Sequence, residues 1–227
     1  MINPLYLDIE TTQKIPDDWN KNTTCIPIAC MAYRIGKITH VVYNSDNYGD
    51  AMTNEQVLDF IEKLITYTKM HTLVTFNGSG FDVRLLAEYA KGGRQGLYEE
   101  VKEMNLNHHI DLMFLAVCER GHPVSLQKMC EAMGVGSKSL AGGGLEAVVL
   151  WNLGGESCKR VLEYNKQDVE LLSLLYHKIS ETTPAKMGFV SKAGNRIYFD
   201  VKLLTVNDAY HTEEYKVPLV PREQFIW

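Results

Sequence analysis

Three strand-like segments fill the first 43 residues with no helical stretch between them, and this opening restricts the fold more than any later feature. Across residues 4–9 the side chains alternate, placing Leu5, Leu7 and Ile9 on one face and Tyr6, Asp8 and then Glu10 on the other. Residues 28–35 and 37–43 are rich in β-branched and aromatic side chains and are divided at Gly36, which predicts an antiparallel hairpin. Helices then begin to alternate with short strands. Thr53 offers an N-cap with Gln56 three residues on, and Val57, Leu58, Ile61, Leu64 and Ile65 keep helical spacing to about Met70. The short apolar run 73–76 predicts a buried strand ended by the Asn77-Gly78 turn. A helix over 81–90 closed by Gly92 and Gly93, a strand over 108–110 and a helix over 112–119 follow. Ser125 caps a further helix ending at Gly134, and the best helix of the chain runs over 156–179, after the glycine-rich residues 142–144. This order predicts an α/β domain, a mixed sheet with helices on both faces. From Pro184 on, residues 189–190 and 196–206 are strand-like around the Ala193-Gly194-Asn195 turn, with no helical pattern. The expected division is a domain over residues 1–183 and a β-rich extension over 184–227 packed on it.

Composition narrows the class. With 45% hydrophobic and 22% charged residues the chain is a soluble globular protein. No basic leader and no run long enough to cross a bilayer are present, so a cytoplasmic protein without a membrane partner is expected. Nothing in the sequence sets an oligomeric state. The five cysteines, Cys25, Cys30, Cys118, Cys130 and Cys158, include no C-x-x-C pair and read as free, mostly buried thiols. His108 and His109 lack companion ligands at zinc spacing. A formal charge of -5 excludes a protein that coats nucleic acid through a broad basic surface. It allows a site that grips a few nucleotides through bound cations, whose ligands themselves add negative charge.

Three segments carry acids in suggestive settings. Asp8 and Glu10 end the first strand on one face. Asp82 closes the stretch Asn77-Gly78-Ser79-Gly80-Phe81-Asp82, a turn from a strand into a helix, where an acid also suits the helix dipole. Tyr164 and Asp168 lie four residues apart in the long helix, about 40° from each other on one face. Acids drawn from separate segments are what two-cation phosphodiester hydrolysis requires, with the hard ions about 4 Å apart.

In this order the three segments resemble the DEDD 3'→5' exonuclease superfamily, closest to stand-alone relatives of the proofreading domains of family B DNA polymerases. That family carries a D-x-E strand, an N-x-x-x-F-D turn and a Y-x-x-x-D helix, and all three motifs stand here. The resemblance runs from about residue 4 to 179, extends to Gly136-Ser137-Lys138-Ser139-Leu140 and Leu150-Trp151, and leaves the tail unexplained. The length leaves no room for a polymerase. Relatives with a histidine base carry it where this chain has Glu163, so Tyr164 marks the tyrosine type.

The resemblance implies a ribonuclease-H-like fold and two Mg2+ or Mn2+ ions held by Asp8, Glu10, Asp82 and Asp168. Asp8 would bridge both, Glu10 and Asp168 would complete the site that activates water, and Asp82 would hold the second ion. Tyr164, a phenol that ordinarily keeps its proton near neutrality, would orient the attacking water. Asn77 and Phe81 match residues that contact the terminal nucleotides through an amide and a stacking or wedging ring. Thr11, Thr12 and Lys138 are further candidates for substrate contact, and residues 142–144 for a lid. Asp111 is read as a helix cap. The implied substrate is the 3'-end of DNA, single-stranded by preference, with RNA ends the alternative. An inactive nucleic-acid-binding relative is the other reading, against which the four acids and Tyr164 stand. A phosphate-cradling loop at Gly78-Ser79-Gly80 lacks the third glycine and the Lys-Ser/Thr pair.

Overall fold

The computed structural model describes residues 3–19, 23–121, 123–137, 140, 143–182, 185–190, 196–212 and 224–227, with the backbone alone for 185–190 and 196–200. Lys138 and the expected turn at 193–195 lie outside the described residues, as does Gly142 of the glycine-rich stretch.

The opening hairpin forms as its pattern predicts. Strand β1 (Pro4–Thr11) pairs antiparallel with β2 (Ile28–Ile35), which pairs antiparallel with β3 (Ile38–Tyr43) across the Gly36 turn. Helix α1 (Asn54–Thr68) leads to β4 (Thr72–Thr75), and α2 (Asp82–Ala90) and α3 (Leu97–Asn107) lead to β5 (His109–Asp111). Strands β1, β4 and β5 are parallel, and the five-stranded order is β3-β2-β1-β4-β5. Helices α4 (Leu112–Arg120), α5 (Leu126–Met133), α6 (Gly144–Leu153) and α7 (Glu156–Glu181) follow. A separate two-stranded antiparallel sheet, β6 (Ala185–Val190) with β7 (Arg196–Val201), and a short helix α8 (Val206–His211) come last.

The period of two in β1 sorts the core into layers. Leu5, Leu7 and Ile9 pack with Val57, Ile61 and Leu64 of α1, Leu85 and Leu86 of α2 and Val101 of α3. Tyr6 turns to the opposite face, among Val169, Leu172, Leu175 and Tyr176 of α7 and residues of α4 and α5. Burying each such aliphatic side chain contributes about 2 kcal/mol. Helix α7 crosses β1, β2 and β3 on the face that carries Asp8 and Glu10.

Strand β1 is central, and its two ladders end at different points. Pairing with β4 stops at Tyr6 opposite Val74, whereas pairing with β2 continues to Thr11 with a bulge between Glu10 and Thr11. Residues 8–11 therefore run on beside the turn that follows β4, at the carboxyl ends of the parallel strands, where open α/β sheets place their ligands. A bulge there bends the strand and redirects its side chains.

Three helices have no counterpart in the sequence reading. In α3 the buried Leu97, Val101 and Met104 are separated by a highly charged stretch. Helix α6 is apolar on its outer face as well as its inner one, with Ala147, Leu150 and Trp151 buried and Leu145, Val149 and Leu153 exposed, so no stripe marks it. Helix α8 corrects the expectation of a tail without helix. Thr205 caps it by accepting from the Asp208 N–H, and its two turns bury only Val206 and Ala209, too short for a period to register.

Thr53 and Gln56 form the reciprocal capping box of α1. Thr53→Ala is expected to lower the unfolding free energy by about 1 kcal/mol. A denaturant midpoint shifted down with an unchanged slope shows it, and an unshifted midpoint contradicts it.

Candidate active site

Strand alternation and helical spacing bring three carboxylates together. Asp8, Glu10 and Asp168 each offer an oxygen within 4.8 Å of the others. Six ligands about 2.1 Å from a Mg2+ ion stand roughly 3–4 Å apart, so small side-chain rotations close this triad on one hard cation. The donor set fits as well, since Mg2+ and Mn2+ favour carboxylate oxygens. Glu10 and Asp168 are buried and Asp8 is partly exposed, so the triad opens to solvent on one side. Tyr164 lies one turn before Asp168 on α7, buried on the same face.

Asn165 had no role in the sequence reading, yet its Nδ2 donates to Asp8 Oδ2 at 2.7 Å. Its own Oδ1 accepts from Cys30 Sγ at 3.6 Å, which fixes the amide. The available signal was its position three residues before Asp168, on a shared helix face.

Asp82 opens α2 and is buried. The backbone N–H of Ile9 donates to its Oδ1 at 2.9 Å, tying the Asp82 turn to β1 midway between Asp8 and Glu10. Burial pushes its carboxyl well above the usual range, and the Asp8 carboxylate pushes the same way, against the backbone N–H groups of Asp82 and Ile9. A cation between the two acids would relieve that repulsion.

The turn over residues 77–82 is held from beneath. Asn77 has φ 71°, the single positive φ among the described non-glycine residues. Asp111 accepts from the N–H groups of Asn77 (2.9 Å) and Ser79 (3.0 Å) as well as those of Met113 and Phe114, so it caps α4 and anchors the turn at once. Gly78 is required by a close approach, since a Cβ there would stand 2.2 Å from Thr75 Oγ1. Gly80 leaves the room that the Asn77 amide occupies, its Cβ position lying 2.5 Å from Asn77 Oδ1.

Below the turn lies a closed polar network. Gly78 N–H donates to Thr75 Oγ1, whose hydroxyl meets His109 Nε2 at 2.7 Å. His109 Nδ1 meets Asn105 Oδ1 at 2.9 Å, and Ser79 Oγ donates to the same oxygen. Asn105 Nδ2 donates to the Phe225 carbonyl, which orients the amide and assigns the proton of His109 to Nδ1. Full burial drops the His109 pKa to about 3.

These parts line a cleft of about 940 Å³ that takes in Asp8, Glu10, Asp82, Tyr164 and Asp168 together with Thr11, Asn77 and Phe81. Gly143 and Gly144 border it, Gly143 beside the Tyr164 hydroxyl and Gly144 beside Glu10. Thr12 is not part of the wall. Its N–H donates to the Pro27 carbonyl and its own carbonyl accepts from Asn152 of α6, so its backbone is spent on structure. Four cysteines are buried and Cys25 is exposed, all as free thiols. Among the described residues the acid triad is the one metal-type cluster, and no helix is long and apolar enough to cross a membrane.

A mixed sheet of this order, with an acidic cleft at the end of its central strand, is the ribonuclease-H-like fold. The chain belongs to the RNase_H superfamily, whose family model matches residues 5–180. Among solved structures it is similar to the family B DNA polymerase from the hyperthermophilic archaeon Pyrobaculum calidifontis, with 18% sequence identity and a TM-score of 0.55 over 79% of this chain. The match takes in 25% of that polymerase chain, so this chain spans about a quarter of its length. At that identity the likeness is one of fold. No curated protein matches the chain.

The His109 environment predicts a pH dependence. Its folded pKa of about 3 lies below the ordinary 6.5, so the unfolded chain binds the proton first. The stability it contributes is complete above about pH 6.5 and is lost, at about 1.4 kcal/mol per pH unit, as the pH falls from there through about 3. His109→Gln is expected to flatten this slope in urea unfolding between pH 7 and 4.5. Parallel slopes for the two proteins contradict it.

Proposed function

We propose that this chain is a two-metal 3'→5' exonuclease of the tyrosine type, releasing nucleoside 5'-monophosphates from the 3'-end of DNA, single-stranded by preference. One observation carries the reading: Asp8, Glu10 and Asp168 converge, with Tyr164 one helical turn away and Asp82 beside Asp8, in a cleft wide enough for a strand end. The motif resemblance supports it, and so does membership of the RNase_H superfamily. We take residues 1–183 as the exonuclease domain and 184–227 as its extension.

Asp8, Glu10 and Asp168 would hold one cation, and Asp82 with Asp8 would hold the second. Mg2+ or Mn2+ bound there supplies water activation and neutralises charge developing on the phosphate and the departing 3'-oxygen. The remaining work belongs to the chain. Asn165 keeps Asp8 oriented through its amide. Tyr164 places the water with its hydroxyl, from a ring held rigid by burial. Asn77 and Phe81, on the wall of the cleft, receive the terminal nucleotide, and Thr11 lines its approach.

End-labelled DNA, single-stranded and duplex, and RNA of the same sequence form the test. With Mg2+ or Mn2+ the expected products are mononucleotides and a ladder shortening from the 3'-end, fastest on single-stranded DNA. Asp8→Ala removes this activity while circular dichroism and thermal unfolding without metal show the fold intact. Internal cuts, or shortening from the 5'-end, contradict the reading. Tyr164→Phe is expected to lower kcat about a hundredfold while Mn2+ still raises the unfolding temperature. An unchanged kcat rejects the role given to the hydroxyl.

A further inference from the structure

We propose that the free edge of β3 is a self-association surface, on which a second copy of this chain lays its own β3 antiparallel and joins the two five-stranded sheets into one. The inference stands on the fold and is independent of the exonuclease reading. In the order β3-β2-β1-β4-β5, β3 pairs with β2 alone, so among the described residues its other side is an open edge. The opposite edge strand, β5, has three residues and lies against α3 and α8, whereas β3 has six. Edge strands are ordinarily protected from pairing by Lys, Pro, a bulge or extreme shortness. Residues 38–43, Ile-Thr-His-Val-Val-Tyr, carry no Lys, Arg, Asp, Glu, Pro or Gly, and their register with β2 runs without a bulge.

The hairpin sets which backbone groups face outward. Ile35 and Ile38 stand opposite each other across the two-residue turn Gly36-Lys37, so they form a hydrogen-bonded pair, and bonded and non-bonded pairs alternate from there. Ile38, His40 and Val42 therefore spend their N–H and C=O groups on β2, while those of Thr39, Val41 and Tyr43 point out from the edge. A second β3 related by a two-fold axis through Val41 sets Val41 opposite Val41 and Thr39 opposite Tyr43. Every outward group of the strand is then bonded, and the contact is isologous and closes at two copies. An axis through His40 or Val42 leaves one outward residue of each strand without a strand partner.

The side chains match the Val41 register. Lys37 precedes β3 and Asp46 follows it, and both are exposed. The axis brings each Lys37 to the end of the partner strand that leads into Asp46, which gives two opposite-charge pairs. Ile38, 63% exposed, falls diagonal to the second copy's Val42, within reach of a long side chain. An unrelated extended peptide offers the same backbone bonds but no such charges fixed at both ends, so the register favours a second copy. Because β3 is parallel to β1 and the two copies of β3 run oppositely, the two acidic clefts lie at opposite ends of the joined sheet.

Sedimentation velocity on the whole chain over a range of concentrations is the test. A species of twice the 25.8 kDa chain mass is expected to grow with concentration. Val41→Pro, which removes an outward N–H and spares the bonds to β2, is expected to be monomeric with an unchanged circular dichroism spectrum. Lys37→Asp and Asp46→Lys each set like charges at both ends and are expected to raise the dissociation constant about tenfold. An equimolar mixture of the two is expected to restore association, because a mixed dimer regains both opposite-charge pairs. A wild type that stays monomeric at every concentration overturns the inference and leaves the edge to a different partner. Dimers that survive Val41→Pro, single charge variants that associate as the wild type does, or a mixture that restores nothing overturn it as well. If Val41→Pro fails to fold, the charge variants and their mixture decide.

Discussion

Carboxylates packed side by side in a cleft repel each other, and the fold spends several of its strongest contacts on holding them there. Asp82 accepts from the Ile9 N–H, Asp8 accepts from Asn165, and Asp111 gathers the N–H groups of the turn between them. The architecture follows from where β1 changes partners. Because its ladder with β4 ends at Tyr6 while that with β2 runs on to Thr11, the turn after β4 swings alongside Asp8 and Glu10. Helix α7 then closes the site by laying Tyr164 and Asp168 over the same strand. Charge crowding at low dielectric costs stability unless a cation shares the space, and the Asp82 carboxyl is raised first by its burial and then by the Asp8 charge.

Much of this arrangement is legible in the sequence because it obeys simple periods. Alternation alone puts Asp8 and Glu10 on the face opposite Leu7, and a four-residue step alone puts Tyr164 above Asp168. The strand-turn-helix around Asn77 is marked by glycines whose necessity the packing explains. What escapes notice has no period. Asn165 shares a helix face with Asp168, but only its contacts with Asp8 of β1 and Cys30 of β2 give that position a role. His109 lies beside His108 in the chain, yet one is sealed in a polar network and the other faces solvent. Helix α6 is apolar on its exposed face too, so its inward face leaves no pattern. Thr12 sits next to Thr11 but points its backbone into structural bonds, a difference set by the bulge.

The tail is where sequence reasoning yields least. Residues 224–227 carry no motif, yet Phe225 and Trp227 are bonded into the underside of the turn that delivers Asp82. The polar network through His109 therefore links the turn beside the acidic site to Phe225. Long-range closures of this kind depend on tertiary packing alone.

The central claim is that three separated segments create a divalent-cation site, and electron paramagnetic resonance of free Mn2+ during titration with the protein measures it directly. The account predicts saturable binding by the wild type that Asp168→Asn weakens at least tenfold without loss of fold. An unchanged free Mn2+ signal with the wild type, or equal binding by the two proteins, would contradict it.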